Sequence, residues 1–277
     1  MEGKVIKKNA NIFTIDVDGE LYDVKPSGKT KETGIYVGDN VVFSDTIEKV
    51  KTRKNLLIRP PVANLDKMFI VVSFLPKPDF ALVDKMIIYC YLKDITPIIV
   101  INKIDIAPKE FIEQIEKDYG FLEIVKVSAK QKILSSLAEK IDGVCALTGQ
   151  SAVGKSSIIN SIFEKEIAEI GDLSKKTERG KQTTRIVCLF KMNKGYIADT
   201  AGFSMLDLSM ISDLKKEELA SYYPDFLKAR SECKYRSCLH ESGDCGIIKG
   251  VKEGNISKNR YNNYLKILEE LKNIKKY

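Results

Sequence analysis

The sequence predicts an α/β chain in three parts: a small β barrel over residues 1–63, a parallel sheet covered by helices over 64–212, and a mainly helical segment over 213–277. Three observations predict it. Short alternating stretches punctuated by Gly, Pro, Asp and Asn fill the first part. Apolar strands alternate with segments of helical periodicity in the second. In the third, half of the six cysteines fall within thirteen residues.

The chain of 277 residues is long enough for more than one core. Its 44% apolar and 30% charged residues are ordinary for a soluble protein. No apolar run approaches the ~20 residues of a membrane helix, and "MEGKVIKKNA" lacks a secretory apolar stretch. No membrane partner is therefore expected, and a cytoplasmic location is. The net charge of +7 suits a polyanionic partner.

In the first part, "IFTIDVDGELYDVKP" (12–26) and "GIYVGDNVVFS" (34–44) alternate as barrel strands do. "KPSGKTK" at 25–31 contains Gly-Lys-Thr, but Asp23 stands where a phosphate loop needs its first glycine. No helical pattern follows, so a β-turn is expected there. "RPP" at 59–61 forms a stiff boundary. Beyond it, "MFIVVSF" predicts a strand, "ALVDKMIIYCYLK" a helix and "TPIIVI" a second strand. The alternation continues to about 200 and predicts a parallel sheet with helices on both faces.

The motifs on this sheet carry the chemistry. "ALTGQSAVGKSSIIN" sets a Gly-x4-Gly-Lys-Ser loop between a strand and a helix. Gly149, Gln150, Ser151, Ala152, Val153 and Gly154 can wrap their N–H groups around phosphates, with Ser157 on the following turn. Lys155 can bridge the β- and γ-phosphates, and the Ser156 hydroxyl can bind Mg2+. "NKID" selects the base: the Asp105 carboxylate matches the N1–H and N2–H₂ donors of guanine. Lys103 can lie along the ring, and Asn102 can tie this segment to the phosphate loop. "VSAK" at 127–130 brings Ser128, Ala129 and Lys130, with the Ala129 N–H aimed at guanine O6. Together these indicate GTP rather than ATP.

"IADTAG" at 197–202 supplies Asp199 on the magnesium side and Gly202 near the γ-phosphate. "ERGKQTTR" at 178–185 offers Thr183 or Thr184 as a magnesium ligand, with Thr184 preferred. Phe203 follows DTAG, where Ras-like enzymes place the water-orienting glutamine. Intrinsic hydrolysis should be slow, with the polar group supplied by Gln182 or by a partner.

Cys90, Cys145 and Cys188 sit singly in apolar surroundings, as core residues do. Cys233, Cys238, His240 and Cys245 form a Cys-x4-Cys-x-His-x4-Cys pattern, a closed ligand set suited to one structural Zn2+. Residues 249–277 hold eight Lys or Arg against three Glu, and 1–63 hold eleven against nine. Tyr261, Tyr264, Leu265, Leu268 and Leu271 predict a buried stripe with lysines outside, a basic face that is either simply solvated or open to RNA.

The motifs run base clamp, SAK, phosphate loop, threonine loop, DTAG. This is a cyclic shift of the usual GTPase order. Joining two nearby ends and opening the chain elsewhere leaves such a sheet intact. With "RKNLLIRPPVANLDK" (53–67) and "CKYRSCLHESGDC" (233–245), the chain resembles the RsgA (YjeQ) family of circularly permuted GTPases in small ribosomal subunit assembly. The resemblance implies an N-terminal OB-fold, a permuted P-loop GTPase domain and a C-terminal helical zinc domain. It also implies GTP hydrolysis to GDP stimulated by the 30S subunit, late in its maturation, with contacts to its rRNA by a monomer. The chain departs from the family pattern in having DTAG for DTPG, a last zinc cysteine one residue closer to the histidine, and Gln182 for a histidine. A large-subunit GTPase would not predict both the barrel and the cysteine cluster. A GTP-dependent metal chaperone would need exchangeable ligands, and a P-loop kinase leaves NKID unexplained.

Overall fold

The computed structural model describes residues 1–58, 60–170, 187–192, 194–199, 211 and 214–273, with 164–170 and 199 as backbone. Strands β1 (Glu2–Asn9), β2 (Ile12–Val17) and β3 (Glu20–Pro26) form an antiparallel meander. Helix α1 (Gly28–Thr33) leads to β4 (Asn40–Phe43) and β5 (Thr46–Val50). β1 pairs with both β2 and β4, while β3 runs parallel to β5, so the five strands close with OB-fold topology. Phe13 and Ile15, two residues apart on β2, point inward beside Val5, Val41, Phe43 and Ile47.

Helix α1 replaces the β-turn expected at 25–31. Ser27 caps it by accepting from the Thr30 N–H, and the buried Thr30 hydroxyl donates to the Ile47 carbonyl at 2.8 Å. A helix of six residues is too short to leave an apolar period in the sequence, so only the cap marked it.

At the junction, β6 (Leu56–Ile58) and β7 (Pro61–Ala63) form a hairpin. The Asn55 side chain donates to Leu65 O and accepts from Leu65 N–H, both at 2.9 Å. Asn64 Nδ2 donates to Gly38 O at 3.0 Å, and Val62 bridges to Val37. The segment is thus a hydrogen-bonded joint between barrel and sheet.

The second part runs β8 (Lys67–Ser73), α2 (Phe80–Leu92), β9 (Thr96–Asn102), α3 (Lys109–Tyr119), β10 (Glu123–Lys126), α4 (Ser135–Ala138), β11 (Gly143–Thr148), α5 (Lys155–Ile170), β12 (Cys188–Lys191) and β13 (Gly195–Asp199). In space the strands lie in the order β10-β9-β8-β11-β13-β12. The first five are parallel, and apolar cores line both faces. β12 is antiparallel to β13, which corrects the expectation of a wholly parallel sheet. Only residues 192–194 join the two, enough for a hairpin and too few for a crossover. β12 also pairs with β1, so barrel and central sheet form one eleven-stranded sheet.

The third part contains 3-10 turns at Leu219–Tyr222 and Pro224–Phe226, then α6 (Leu227–Arg230), α7 (Gly246–Lys252) and α8 (Lys258–Asn273). α8 packs on α2 and buries Tyr264, Ile267, Leu268 and Leu271, while Tyr261 and Leu265 are half-buried. The same stripe buries Arg260, which takes its charge off the outward basic face. Lys249 and Lys272 are paired with Glu232 and Glu241, which further thins the outward basic face. Cys90, Cys145 and Cys188 are buried. Among the described residues, no helix is long and apolar enough to cross a membrane.

Candidate functional site

Because β9, β8 and β11 are parallel neighbours, their C-terminal ends open on the same edge of the sheet. β9 ends in Asn102, at the start of NKID, and β11 ends at Thr148, just before the loop 149–154. Asn102 is 1% exposed and joins three motifs with one side chain. Its Nδ2 donates to Val153 O in the loop at 2.9 Å, and its Oδ1 accepts from the Ala129 N–H at 3.3 Å. Motifs written in shifted order therefore meet at one place.

Two glycines make that approach possible. Gly154 has φ +99°, and a Cβ there would lie 2.3 Å from Asn102 Nδ2. Gly149 has φ +136°, and a Cβ there would lie 2.3 Å from Val71 O. L-residues are strained at such φ and would collide as well.

The two lysines are pre-positioned by carbonyls. Lys155 Nζ donates to Gly149 O at 2.7 Å and Gln150 O at 2.9 Å. Its burial lowers the ammonium pKa, a cost that an incoming anion would offset. Lys103 Nζ donates to Leu75 O at 2.7 Å and Ala152 O at 2.9 Å. The Gln150 side chain accepts from the Asp79 N–H at 3.2 Å, which joins the loop to the N-cap of α2. Ser156 and Ser157 are exposed in the first turn of α5, Ser151 and Ala152 are exposed in the loop, and Val153 is buried. The positive end of α5 faces the same loop.

Asp105 is held by Ser128, whose buried hydroxyl donates to Asp105 Oδ1 at 2.6 Å. That hydrogen bond keeps the Asp105 carboxyl below the usual carboxylate range, with the Lys130 and Lys103 charges adding to it against slight burial. Ala129 is buried and Lys130 exposed. Gln182, Thr183, Thr184, Gly202 and Phe203 lie outside the described residues, as does the Asp199 side chain. The Asp199 backbone ends β13, opposite Cys188.

A second site lies in the third part. The ligand atoms of Cys233, Cys238, His240 and Cys245 all lie within 4.8 Å of one another, and the set could hold a metal ion. His240 Nδ1 is 3.5 Å from Cys233 Sγ and 3.4 Å from Cys245 Sγ, while the two sulfurs are 3.8 Å apart. The Cys238 sulfur accepts from the His240 N–H at 3.4 Å. Burial keeps the imidazole neutral by lowering its pKa to about 4, with Arg230 acting in the same direction. A neutral imidazole is the ligating form.

Sequence reasoning missed the carbonyl anchors of both lysines, the Gln150–Asp79 contact and the inward Arg260. The lysine anchors depend on backbone oxygens and the Gln150 contact on a backbone N–H, so none leaves a side-chain pattern. Arg260 did leave a signal, because it precedes Tyr264, Ile267 and Leu271 at helical spacing.

A family model described as RsgA GTPase matches residues 50–209. A small ribosomal subunit biogenesis GTPase RsgA of Clostridium botulinum (strain Eklund 17B) is 37% identical over 285 residues, covering 98% of this chain and 97% of that one. The protein of the same name in Clostridium acetobutylicum is 38% identical, covering 98% of each. The crystal structure of YjeQ from Thermotoga maritima superposes with a TM-score of 0.84 at 31% identity, covering 99% of both chains. That of YloQ, a circularly permuted GTPase, gives 0.81 at 29% identity, covering 100% of this chain and 96% of that one.

Proposed function

The chain belongs to the RsgA GTPase family, and from that premise we propose that it hydrolyses GTP to GDP and phosphate during late maturation of the 30S ribosomal subunit. The observation that carries the guanine site is the Asn102 side chain, which links base clamp, SAK segment and phosphate loop. In this reading Asp105 pairs with the guanine edge, Lys103 covers the ring and the Ala129 N–H meets O6. The loop 149–154 and Lys155 cradle the phosphates. Ser156, Thr184 and Asp199 would hold the magnesium bound with GTP, which would supply positive charge against the phosphates. Gln182 would orient water.

The cysteine cluster is assigned to one structural Zn2+. A tetrahedral zinc with Zn–S of about 2.3 Å and Zn–N of about 2.0–2.1 Å sets S···S edges of about 3.8 Å and S···N edges of about 3.5 Å. The Cys233–Cys245 sulfur separation of 3.8 Å and the separations of 3.5 and 3.4 Å from these sulfurs to His240 Nδ1 fit three of its edges, and the Cys238 sulfur lies within 4.8 Å of the other three ligand atoms. His240 and Cys245 are buried, which favours a permanent structural ion over one delivered elsewhere.

The remaining parts of the proposal are a division at 1–63, 64–212 and 213–277, a cytoplasmic monomer, and contacts to 30S rRNA. The barrel supports the last, since OB-folds commonly bind nucleic acid. Phosphate release from GTP and from ATP, in the wild-type chain and in Lys155→Ala, tests the enzyme reading. Release from GTP alone, abolished by the substitution, supports it; equal use of ATP refutes it.

A further inference from the structure

A buried carboxylate of the barrel reaches the central sheet beside the β1–β12 pairing. Asp16 on β2 is 3% exposed. It accepts from the Gly19 N–H at 2.6 Å, from Lys191 Nζ at 3.3 Å and from the Tyr196 hydroxyl at 3.1 Å. Lys191 and Tyr196 face each other across β12 and β13, beside the turn of that hairpin. Lys4 of β1 adds a second hold, with its ammonium 5.9 Å from the centre of the Tyr196 ring. At the other end of the hairpin, Cys188 faces Asp199 and also pairs with Lys7 of β1. The barrel therefore grips the hairpin at both ends.

In sequence, the threonine-bearing stretch 178–185 leads into this hairpin and Asp199 ends it. The turn and the Asp199 end are only about 10 Å apart, at about 3.4 Å per strand residue. A tilt or slip at the turn would therefore reach the Asp199 end of the strand. A buried carboxylate is costly unless its hydrogen bonds are made. Asp16 makes two of them to the hairpin of another part of the chain.

We propose that Asp16 is a positioning residue for GTP hydrolysis, holding the β12–β13 hairpin from the barrel side. This rests on the GTPase reading given above. Base and diphosphate contacts come from NKID, SAK and the phosphate loop, none of which lies on the hairpin. Loss of Asp16 should therefore lower turnover and leave GDP binding alone.

The test uses the full chain and its Asp16→Ala, Asp16→Asn, Lys191→Met, Tyr196→Phe and Asp16→Ala/Tyr196→Phe variants. Turnover of GTP and the Kd for GDP are measured for each. Displacement of a reacting group by about 1 Å can cost up to about a hundredfold, so kcat in Asp16→Ala should fall at least about tenfold. GDP affinity should stay within about twofold of wild type, and Asp16→Asn, which keeps an acceptor for Tyr196, should recover part of the rate. The double variant should be no slower than Asp16→Ala, because both changes remove the same contact. Lys191→Met alters a half-exposed side chain, so it keeps the test open should Asp16→Ala fail to fold; its kcat should fall as well. Wild-type kcat in either Asp16→Ala or Lys191→Met, or equal losses of kcat and GDP affinity, would overturn the positioning role. A wild-type chain that releases no phosphate from GTP would instead overturn the GTPase reading beneath it.

Discussion

Arg260 in α8 directs Nη1 at the Asp84 carboxylate in α2, and neither side chain is more than 1% exposed. Its Nη2 also meets Asp225 Oδ1 at 3.1 Å. The guanidinium lies 4.5 Å from the Tyr223 ring centre and 4.9 Å from those of Tyr119 and Phe121. Nearby, Ser257 and Asn259 donate to the two oxygens of Asp118 at the end of α3. The third part of the chain is thus bolted to α2 and α3. Since the Asp79 N–H at the head of α2 contacts Gln150, little more than one turn of helix separates the phosphate loop from this bolt.

Burial pushes the Asp84 carboxyl up to about 6 against the pull of Arg260. Removing the guanidinium would leave that carboxylate buried without its main counter-charge. Arg260→Met should cost about 3–5 kcal/mol at pH 7. The sign with pH follows from the raised folded-state value. The folded chain holds the Asp84 proton more tightly than the unfolded chain, so this group favours folding at low pH and loses that contribution as pH rises through its folded pKa. Urea titrations should show Arg260→Met recovering part of its deficit between pH 7 and pH 5. A variant equally destabilised at both values would exclude Asp84 as the cause.

In the proposed guanine site, Asp105 and its Ser128 support select the base. Asp105→Asn should weaken guanine nucleotide binding and shift preference toward xanthine nucleotides, which carry a carbonyl at the 2-position. Ser128→Ala should weaken GTP binding less, by about 1 kcal/mol for one lost hydrogen bond. Titration calorimetry that finds GTP affinity unchanged in Asp105→Asn would remove NKID from the site.

The fit of Gly154 against Asn102 gives a steric prediction. An alanine there meets Asn102 Nδ2 at 2.3 Å and takes a φ that L-residues rarely adopt. Gly154→Ala should cost about tenfold or more in GTP affinity. Full affinity in this variant would mean that the loop does not need Asn102 where it stands.

Much of the candidate site was legible because the proposed chemistry needs particular side chains at fixed spacing. Gly149, Gly154, Lys155, Asn102 and Asp105 could be named before any fold was known. What stayed hidden was fixed by tertiary contact. Asp84 stands beside Lys85 in a largely apolar helix and Arg260 between Lys258 and Lys266, and neither names the other across a separation of 176 positions. The pairing of β1 with β12 was equally silent, since an edge strand carries no mark of which edge it will meet.

The metal cluster is open to a direct count. The purified chain should carry about one zinc, bound by four residues. Cys238→Ser should lower the zinc content and the protease resistance of 214–273 while sparing GTP binding. Elemental analysis finding stoichiometric iron, or resistance unchanged after chelation, would argue against structural zinc.

The decisive experiment is GTP turnover by the purified chain with and without purified 30S particles. Slow turnover alone and a marked acceleration by the particle are expected, along with tighter particle binding in the presence of a non-hydrolysable GTP analogue than of GDP. Linkage requires the particle to raise affinity for that analogue, relative to GDP, by the same factor, and a tenfold effect needs only about 1.4 kcal/mol. Equal turnover in the presence and absence of 30S, with equal particle affinity in both nucleotide states, would contradict a GTPase that works on the small subunit.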